Sequence, residues 1–337
     1  MTAINNLYAR TFYPNQMGTD LPVVLLMPGF LQSAASFEAI CLKRIANYGL
    51  VVVAVGMRGR DGADGSQDAA GREIYDVIDA LTYVRATAPY SSYASQNYAA
   101  VVGYSGGGGV ALATACKFPD LFCMIVSHFG VGDYGYDGTY GWYQNGASAA
   151  YKTAMETRIG GTPTAVPDAY RARNAVEAIT NYSSGHLYLF HDTADTSVPV
   201  CQSQRIGAAM LAAGMSNYTE NYTTPTDSPR WLHSLPDIGT PVIQTEPIWA
   251  PPLAAKTYSV WTVPASGTHR VIGYIKTKRY TCWLGTGISE VANVTYGVTS
   301  NLYTVEPLTG SMDVTIIQAD GKTVTQTIAT TTDLVVA

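Results

Sequence analysis

The sequence predicts an α/β fold built on a doubly wound, mostly parallel sheet, with an all-β domain at the carboxyl end. Two observations support this prediction. Strand-like and helix-like segments alternate through the first 240 residues, and most of the strands are apolar throughout. After about residue 245 the pattern changes to short alternating runs rich in Val, Thr and Tyr. Apolar strands separated by helices are typical of a parallel sheet covered on both faces, whereas alternating runs indicate antiparallel strands.

Six strands and four helices are predicted for the first domain, which we place at residues 1–243. The strands lie at 21–27, 50–55, 98–104, 122–127, 186–190 and 217–223. The helices lie at 33–48, 72–85, 106–117 and 201–213. The helix at 72–85 is amphipathic, because Ile74, Val77 and Leu81 fall on one stripe.

The alternation stops between residues 131 and 184, a stretch rich in Tyr and Gly. We interpret it as a lid inserted over the active site. Its aromatic residues Tyr134, Tyr136 and Trp142 have two interpretations. They stack on a sugar or an aromatic acyl group of the substrate, or they pack the lid against the core. The sequence does not decide between these roles.

The carboxyl-terminal residues 255–337 are predicted to form a small β-sandwich. Asp320-Gly321, between two strand-like runs, is a two-residue hairpin signal. The proline-rich segment 244–254 before them is interpreted as a semi-rigid linker. The appended domain suggests attachment to a polysaccharide or to a larger particle, and a homo-oligomer is a further possibility.

Composition limits the classes of partner. The 337 residues, 47% of them hydrophobic, suffice for one large core and a smaller one. Acidic residues exceed basic ones, 25 against 20, without a basic cluster, so a nucleic-acid partner is not expected. Because no apolar run approaches the roughly 20 residues of a membrane span, and the first residues lack a signal-peptide pattern, we expect a soluble protein. It is either cytoplasmic or part of a phage or extracellular particle.

The five cysteines are odd in number and lack metal-type spacing. We expect buried thiols, with a Cys116–Cys123 disulfide as the alternative. Three aspartates, Asp61, Asp64 and Asp68, lie in a glycine-containing loop but miss the EF-hand pattern, so a solvated loop is favoured over a calcium site.

Ser105 is the candidate nucleophile. It lies in Gly103-Tyr104-Ser105-Gly106-Gly107, directly after an apolar strand and before a small, apolar helix. A serine between strand and helix occupies a strained turn, where flanking side chains would clash, so glycine is needed on both sides. This context predicts a nucleophile elbow rather than an ordinary glycine-rich loop.

A serine nucleophile needs a general base, and the base needs an acid that orients it. Of the five histidines, His128, His186 and His191 border buried strands and are interpreted as structural. His233 is the preferred base because it follows the last sheet strand; His269, in the appended domain, is the alternative.

Two carboxylates directly after the strand at 186–190 are candidates for the acid. Asp195 is preferred because it lies one turn into the loop and 38 residues before His233, enough for one helix and one strand. Asp192 is the alternative, or it braces the turn. Two backbone N–H groups must bind the oxyanion, and those of Phe30 and Gly106 are the expected pair.

Residues 20–240 resemble the catalytic domain of prolyl-oligopeptidase-like and dienelactone-hydrolase-like enzymes of the α/β-hydrolase superfamily. The motifs that carry the resemblance are Arg58-Gly59-Arg60-Asp61-Gly62, Gly103-Tyr104-Ser105-Gly106-Gly107, Ile159-Gly160-Gly161-Thr162-Pro163 with Tyr170-Arg171-Ala172-Arg173-Asn174-Ala175, and His191-Asp192-Thr193-Ala194-Asp195-Thr196-Ser197-Val198-Pro199. The second aspartate of the last motif is the triad acid of such enzymes, which again implies Asp195. Pro28-Gly29-Phe30 replaces their usual His-Gly-Gly and is closer to cutinase-like esterases.

The sequence therefore predicts a serine esterase without metal or organic cofactor, and a carbohydrate O-acyl esterase is one specialisation of it. Two alternatives stay open. The first is a serine peptidase of the prolyl-oligopeptidase type, against which the sequence offers no identifiable acidic pair for a peptide amino terminus. The second is a binding or structural particle protein with an incidental hydrolase domain.

Overall fold

A seven-stranded sheet forms the centre of the first domain in the computed structural model. The structure describes residues 6–14, 18–37, 39–228, 230–231, 233, 239–259 and 262–337. The strands are β1 (Ala9–Phe12), β2 (Leu21–Met27), β3 (Val51–Val55), β4 (Ala94–Tyr104), β5 (Met124–His128), β6 (His186–Asp192) and β7 (Tyr218–Thr223). Their order is β1-β3-β2-β4-β5-β6-β7, and every pair is parallel except β1 with β3. The predicted α/β class and the six predicted strands are confirmed, while the short, half-buried edge strand β1 was not predicted.

Helices cover both faces of this sheet. They are α1 (Ala39–Ala46), α2 (Glu73–Ala86), α3 (Gly106–Lys117), then, between β5 and β6, α4 (Trp142–Asn145), α5 (Ala149–Ile159), α6 (Pro167–Arg171) and α7 (Ala175–Ala178), and finally α8 (Cys201–Ala212) and α9 (Gly239–Ala254). Residues of β2 alternate between two cores: Val23 and Leu25 belong to the core that includes residues of α2, α3 and α8, and Val24 and Leu26 belong to the core that includes residues of α1 and α9. This double burial explains why the strands are apolar throughout.

Two predicted segments differ in detail from the structure. The helix predicted from residue 33 begins as a 3-10 turn at Ala34–Ser36, capped by Ser33, and α1 starts only at Ala39. The predicted lid, residues 131–184, lies between β5 and β6 and contains α4 to α7. Among the described residues, no helix is long and apolar enough to cross a membrane.

The proline-rich segment is part of a helix, so the prediction of a linker at 244–254 is wrong. The three prolines of this segment, Pro247, Pro251 and Pro252, lie in the interior of α9. Proline normally disrupts a helix interior because it lacks the N–H and crowds the preceding turn. Burial decides otherwise here, since Trp249 and Leu253 are packed against the sheet with the α1 core. The first domain therefore continues to Ala254, beyond the predicted boundary at residue 243.

The second domain is all-β, as predicted. Its strands are β8 (Ser266–Ile272), β9 (Tyr274–Lys276), β10 (Tyr280–Leu284), β11 (Val291–Gly297), β12 (Leu302–Pro307), β13 (Met312–Gln318), β14 (Thr323–Ile328) and β15 (Thr332–Val335). They form one antiparallel sheet in the order β14-β13-β10-β9-β8-β11-β12-β15. The sheet folds over a single core, because the edge strands β14 and β15 touch and Gln318 of β13 donates to the Tyr303 hydroxyl of β12 (3.3 Å). One folded sheet thus produces the sandwich-like shape.

The second domain docks at the carboxyl end of α3. The buried Lys117 amine, in the last turn of α3, donates to the carbonyl of Ile272 (2.5 Å), and burial lowers the pKa of Lys117 to about 8. Nearby, the Asp120 carboxylate accepts hydrogen bonds from the backbone N–H groups of Lys278 and Val263. A helix of 12 residues is about 18 Å long. These contacts therefore lie at the opposite end of α3 from Ser105.

Candidate active site

Ser105 occupies a strained turn between β4 and α3. Its backbone has φ 56° and ψ −120°, which is unfavourable for any residue with a side chain. A Cβ atom at Gly103 would lie 2.0 Å from the carbonyl oxygen of Gly107, and one at Gly107 would lie 2.3 Å from that of Met27. Both flanking positions therefore require glycine. The partly exposed serine lies at the amino end of α3, where the helix dipole favours negative charge.

Asp195 and His233, the predicted acid and base, are hydrogen-bonded to each other. Nδ1 of His233 lies 3.0 Å from Oδ2 of Asp195, whose side chain is fully buried. Oδ1 accepts from the backbone N–H groups of Ser197 (2.8 Å) and Val198 (3.0 Å). Burial by itself would raise the pKa of Asp195, but hydrogen bonds from His191 and His233 outweigh it and hold this pKa well below its usual range. An ionised Asp195 makes Nδ1 of His233 the donor and leaves Nε2 for a substrate or nucleophile.

His233 and Ser105 are both attached to the turn that follows β5. The carbonyl of His128 accepts the backbone N–H of Ser105 (3.0 Å). The next residue, Phe129, stacks its ring on that of His233, with 4.4 Å between centroids and 26° between planes. Ser105, Asp195 and His233 follow β4, β6 and β7 respectively, so all three lie at the carboxyl edge of the sheet. Parallel sheets place their functional groups at this edge.

Of the other four histidines, His128, His191 and His269 are buried and His186 is half-buried. Burial lowers the pKa of His128 to about 3, and the pKa values of His186 and His269 to about 4. His128 contacts the Thr245 hydroxyl (2.6 Å), and His269 contacts that of Tyr280 (2.6 Å). His269 lies in β8, in the domain that docks at the far end of α3. This position disfavours His269 as the base.

His191 is a second partner of Asp195 whose contact could not be predicted from sequence. Its Nε2 lies 2.8 Å from the carbonyl oxygen of Val198 and 3.3 Å from Oδ2 of Asp195, and its Nδ1 lies 2.8 Å from the Ser203 hydroxyl. Two acceptors facing Nε2 place the proton there, so the Ser203 hydroxyl donates to Nδ1. His191 thus has a specific structural role, because its ring holds the turn that carries Asp195.

The backbone N–H groups of Phe30 and Gly106 are adjacent. A Cβ atom at Gly106 would lie 2.6 Å from the backbone nitrogen of Phe30. Among the hydrogen bonds of the described residues, neither N–H donates to a protein group. Arg60 holds this loop, since its guanidinium donates to the carbonyl of Gln32 (2.9 Å) and pairs with the buried Glu73 (2.7 Å). Two unoccupied donors beside an elbow are what an oxyanion site requires.

Most of the first domain matches a known protein family. A model of the prolyl oligopeptidase family matches residues 36–224, more than half of the chain. The chain belongs to the prolyl oligopeptidase family. Membership supports a hydrolase. The matched residues include Ser105 and Asp195 but end before His233.

Individual relatives of this family member include peptidases and esterases. The uncharacterized peptidase YtmA of Bacillus subtilis (strain 168) is 26% identical over 179 residues, which are 53% of this chain and 65% of that protein. The match thus spans less than two thirds of this relative. A puromycin-hydrolyzing peptidase of Mycobacterium tuberculosis has a TM-score of 0.56 at 19% identity, covering 71% of this chain and 36% of that one. Esterase B of Lactobacillus rhamnosis has a TM-score of 0.52 at 16% identity, covering 74% and 82%. These likenesses show the α/β-hydrolase fold.

Burial separates the predicted aromatic residues of this family member. Tyr134 and Trp142 are each 1% exposed, so of their two interpretations the structure favours packing of the lid over contact with substrate. The Tyr134 hydroxyl donates to the carbonyl of Gly106 (3.1 Å), and the Trp142 indole N–H donates to that of Ser197 (2.7 Å). Both side chains therefore bond to backbone next to the site: Tyr134 to the turn of Ser105, and Trp142 to the turn that carries Asp195. Tyr136, 39% exposed, remains a predicted substrate contact.

The aspartates of the loop after β3 have separate partners. Asp61 accepts the N–H of Ala34 (2.7 Å), Asp64 accepts that of Asn6 (3.1 Å), and Asp68 pairs with Arg173. Within the described residues there is no group of three or more His, Cys, Asp or Glu that could hold a metal ion. Four cysteines are free thiols, among them the pair considered for a disulfide: Cys116, Cys123, Cys201 and Cys282.

Phe30 offers a test that separates its backbone from its side chain. Its ring packs edge-on against Trp142 (5.8 Å between centroids) and contacts Tyr151 (5.9 Å). Phe30→Ala keeps the N–H, so kcat should stay within about tenfold, while lost packing should cost about 3–5 kcal/mol of unfolding free energy. Phe30→Pro removes the donor and should lower kcat by at least about 10²–10³. Thermal unfolding and ester kinetics measure both effects; a folded but inactive Phe30→Ala would contradict the backbone role.

Proposed function

We propose that this member of the prolyl oligopeptidase family is a serine esterase that cleaves carboxylic esters through an acyl-enzyme. The observation that carries the proposal is the hydrogen-bonded Asp195–His233 pair at the same sheet edge as the strained Ser105 elbow. The three residues supply a hydroxyl, a carboxylate and an imidazole, and each follows a strand of the parallel sheet. The arrangement matches the functional order of nucleophile, base and orienting acid.

The proposed reaction has two steps. Oγ of Ser105 attacks the ester carbonyl while Nε2 of His233 takes the hydroxyl proton, and the N–H groups of Phe30 and Gly106 bind the oxyanion. The bond to the leaving alkoxide then breaks as His233 returns the proton to it, which releases the alcohol. Water then gives a proton to His233 and attacks the acyl carbonyl. The bond to Oγ of Ser105 breaks as His233 returns the proton to Oγ, which releases the carboxylic acid and the free serine. Asp195 stabilises the imidazolium in both steps.

The ion pairs near the site favour esters over peptides with a free amino terminus. A peptidase that acts at the amino terminus needs a carboxylate that is available to bind the ammonium group of its substrate. Here the carboxylates of Glu73 and Asp68, on the oxyanion side, are neutralised by Arg60 and Arg173. Asp133 accepts three backbone N–H groups and lies 3.4 Å from Arg205. Peptide hydrolysis remains the second candidate because of the family itself and the Bacillus subtilis relative.

A substrate panel tests the choice between ester and peptide. We expect turnover of p-nitrophenyl acyl esters and negligible turnover of peptide p-nitroanilides at equal enzyme concentration. Ester and amide substrates with the same acyl group provide the matched comparison, because only the leaving group differs. Amide turnover with negligible ester turnover would replace the esterase proposal by the peptidase.

The second domain supports a more specialised proposal, a carbohydrate O-acyl esterase. Its outer face carries cross-strand threonine pairs, such as Thr268 with Thr295 (2.9 Å) and Thr315 with Thr325 (3.0 Å). Neutral hydroxyl-rich faces suit a polysaccharide or a particle surface, which we propose as its partner, and they suit a phage or extracellular setting. Release of acetate from an acetylated polysaccharide, compared with p-nitrophenyl acetate, tests this specialisation. A binding protein without turnover on either substrate is the third candidate.

A further inference from the structure

The segment that carries His233 connects β7 to α9, and its described residues contain no helix or strand. A general base must keep its ring within a fraction of an ångström of its working position, and a misplacement of about 1 Å can cost about 10²-fold in rate. Regular secondary structure does not provide this precision at residues 230, 231 and 233. Side-chain contacts to the sheet edge must therefore provide it.

The Asp192 carboxylate, fully buried at the end of β6, is bonded on both oxygens. Arg230 donates to it in a bidentate fork, with Nε 2.8 Å from Oδ2 and Nη2 2.7 Å from Oδ1. Oδ1 also accepts the backbone N–H of Ala194 (2.9 Å), and Oδ2 accepts the Thr223 hydroxyl (2.9 Å). Hydrogen bonds from Arg230 lower the pKa of Asp192 and keep it ionised. Bidentate pairs of this kind fix geometry as well as charge.

These contacts connect two separate loops of the site. Ala194 immediately precedes Asp195, so its bond to Asp192 shapes the turn of the acid. Arg230 lies three residues before His233, so its fork holds the segment of the base. The Thr223 hydroxyl that donates to Asp192 also accepts the backbone N–H of Trp231 (3.0 Å). One carboxylate is thus bonded to the turn of the acid, to the end of β7 and to the segment of the base.

Two aromatic contacts complete the attachment. The ring of Trp231 packs edge-on against Phe190 of β6, with 5.7 Å between centroids and 85° between planes. The ring of His233 stacks on Phe129. Asp192 cannot itself serve as the triad acid, because its oxygens are committed to Arg230, Ala194 and Thr223 while Asp195 contacts His233. The carboxylate that sequence offered as an alternative acid therefore has a different role.

We propose that Asp192 and Arg230 are positioning residues for catalysis, which hold the acid turn and the base segment in register. The inference rests on the proposed function, since it assigns the two residues to the reaction of His233. Neither Asp192 nor Arg230 touches the substrate or the reacting atoms. Loss of the fork leaves Ser105, Asp195 and His233 present but lets the base segment move, so the rate of the chemical steps falls while substrate binding persists.

The test compares Arg230→Gln with Arg44→Gln in the whole 337-residue chain. Arg44, on α1, also pairs with a buried carboxylate, that of Glu246, but its Nε and Nη2 both contact one oxygen (2.6 Å each) and form no fork across two. For Arg230→Gln we expect kcat for the best p-nitrophenyl ester to fall about 10- to 100-fold, with KM within about threefold. Arg44→Gln should keep the wild-type kcat. Arg230→Lys retains the charge without the fork and should recover part of the loss.

Amide hydrogen exchange supplies a readout that does not depend on activity. Peptides that span residues 224–238 should exchange faster in Arg230→Gln and in Asp192→Asn, but not in Arg44→Gln. A kcat equal to that of wild type, or unchanged exchange, would overturn the positioning role. A raised KM with unchanged kcat would assign Arg230 to substrate binding instead. If the wild type hydrolyses no ester or amide, the proposed function fails, and exchange alone then decides whether the fork holds this segment.

Discussion

Ser105→Ala is expected to lower kcat for ester hydrolysis by a factor of about 10⁴–10⁶, the loss that follows removal of a nucleophilic serine elsewhere. Alanine has the same Cβ atom as serine, so the backbone strain at φ 56° does not change. The substitution removes only the hydroxyl oxygen. The free energy of unfolding should therefore change by less than about 1 kcal/mol, as for ordinary substitutions without a special mechanism. A steady-state assay together with thermal unfolding measures both quantities.

Two controls make this result specific. Ser300→Ala, in the second domain, removes a hydroxyl that donates to Gly297 (3.0 Å) and should leave kcat unchanged. The residual activity of Ser105→Ala should show no burst of p-nitrophenol, because no acyl-enzyme forms. Ester turnover that survives the substitution at more than a tenth of the wild-type rate would refute the mechanism.

His233→Ala is expected to be about as inactive as Ser105→Ala, with a fall in kcat of about 10⁴–10⁶. Nucleophile and base act as one unit, so removing either one alone costs a similar factor in kcat. Without the imidazole the serine hydroxyl has no acceptor for its proton, and the buried Asp195 loses one of its donors. We expect no acyl-enzyme to accumulate. Active-site titration with a phosphonate that reacts with the nucleophile measures the loss directly.

His269→Ala is the matched control, since it removes the same side chain from the alternative position. His269 is 4% exposed, bonds to the Tyr280 hydroxyl and stacks on Tyr296 at 4.8 Å. Its removal leaves a buried hydroxyl without its partner, which should cost about 1–3 kcal/mol of unfolding free energy. Activity below the melting temperature should remain near wild type. An inactive but folded His269→Ala beside an active His233→Ala would reverse the assignment.

Local sequence determined the elements whose signals lie within a few residues of one another. The apolar strands, the helix stripe of Ile74, Val77 and Leu81, and the glycines around Ser105 were each readable because burial, helical period and steric clash act over short distances. The hairpin at Asp320-Gly321 belongs to the same group, and Gly321 has the expected positive φ of 89°. For these features the tertiary structure added only exact boundaries.

Burial in the tertiary structure determined two features that local sequence patterns predicted wrongly or left open. Proline content predicted a linker at 244–254, yet burial of Trp249 and Leu253 against the sheet outweighs the local cost and yields α9. The rings of Tyr134 and Trp142 are equally suited by type to substrate or to core. Only their exposure, 1% each, assigns them to packing.

By itself the sequence determined the fold class, the nucleophile elbow and a short choice of acids and bases, since those depend on residue type and on spacing along the chain. The tertiary structure decided which of these candidates lie in contact: Asp195 contacts His233, Asp192 contacts Arg230, and His269 lies in the domain at the other end of α3. The physical reason is that hydrogen bonds between residues about 38 positions apart depend on how strands order themselves in the sheet. That order arises from packing of the whole domain, and no local pattern encodes it.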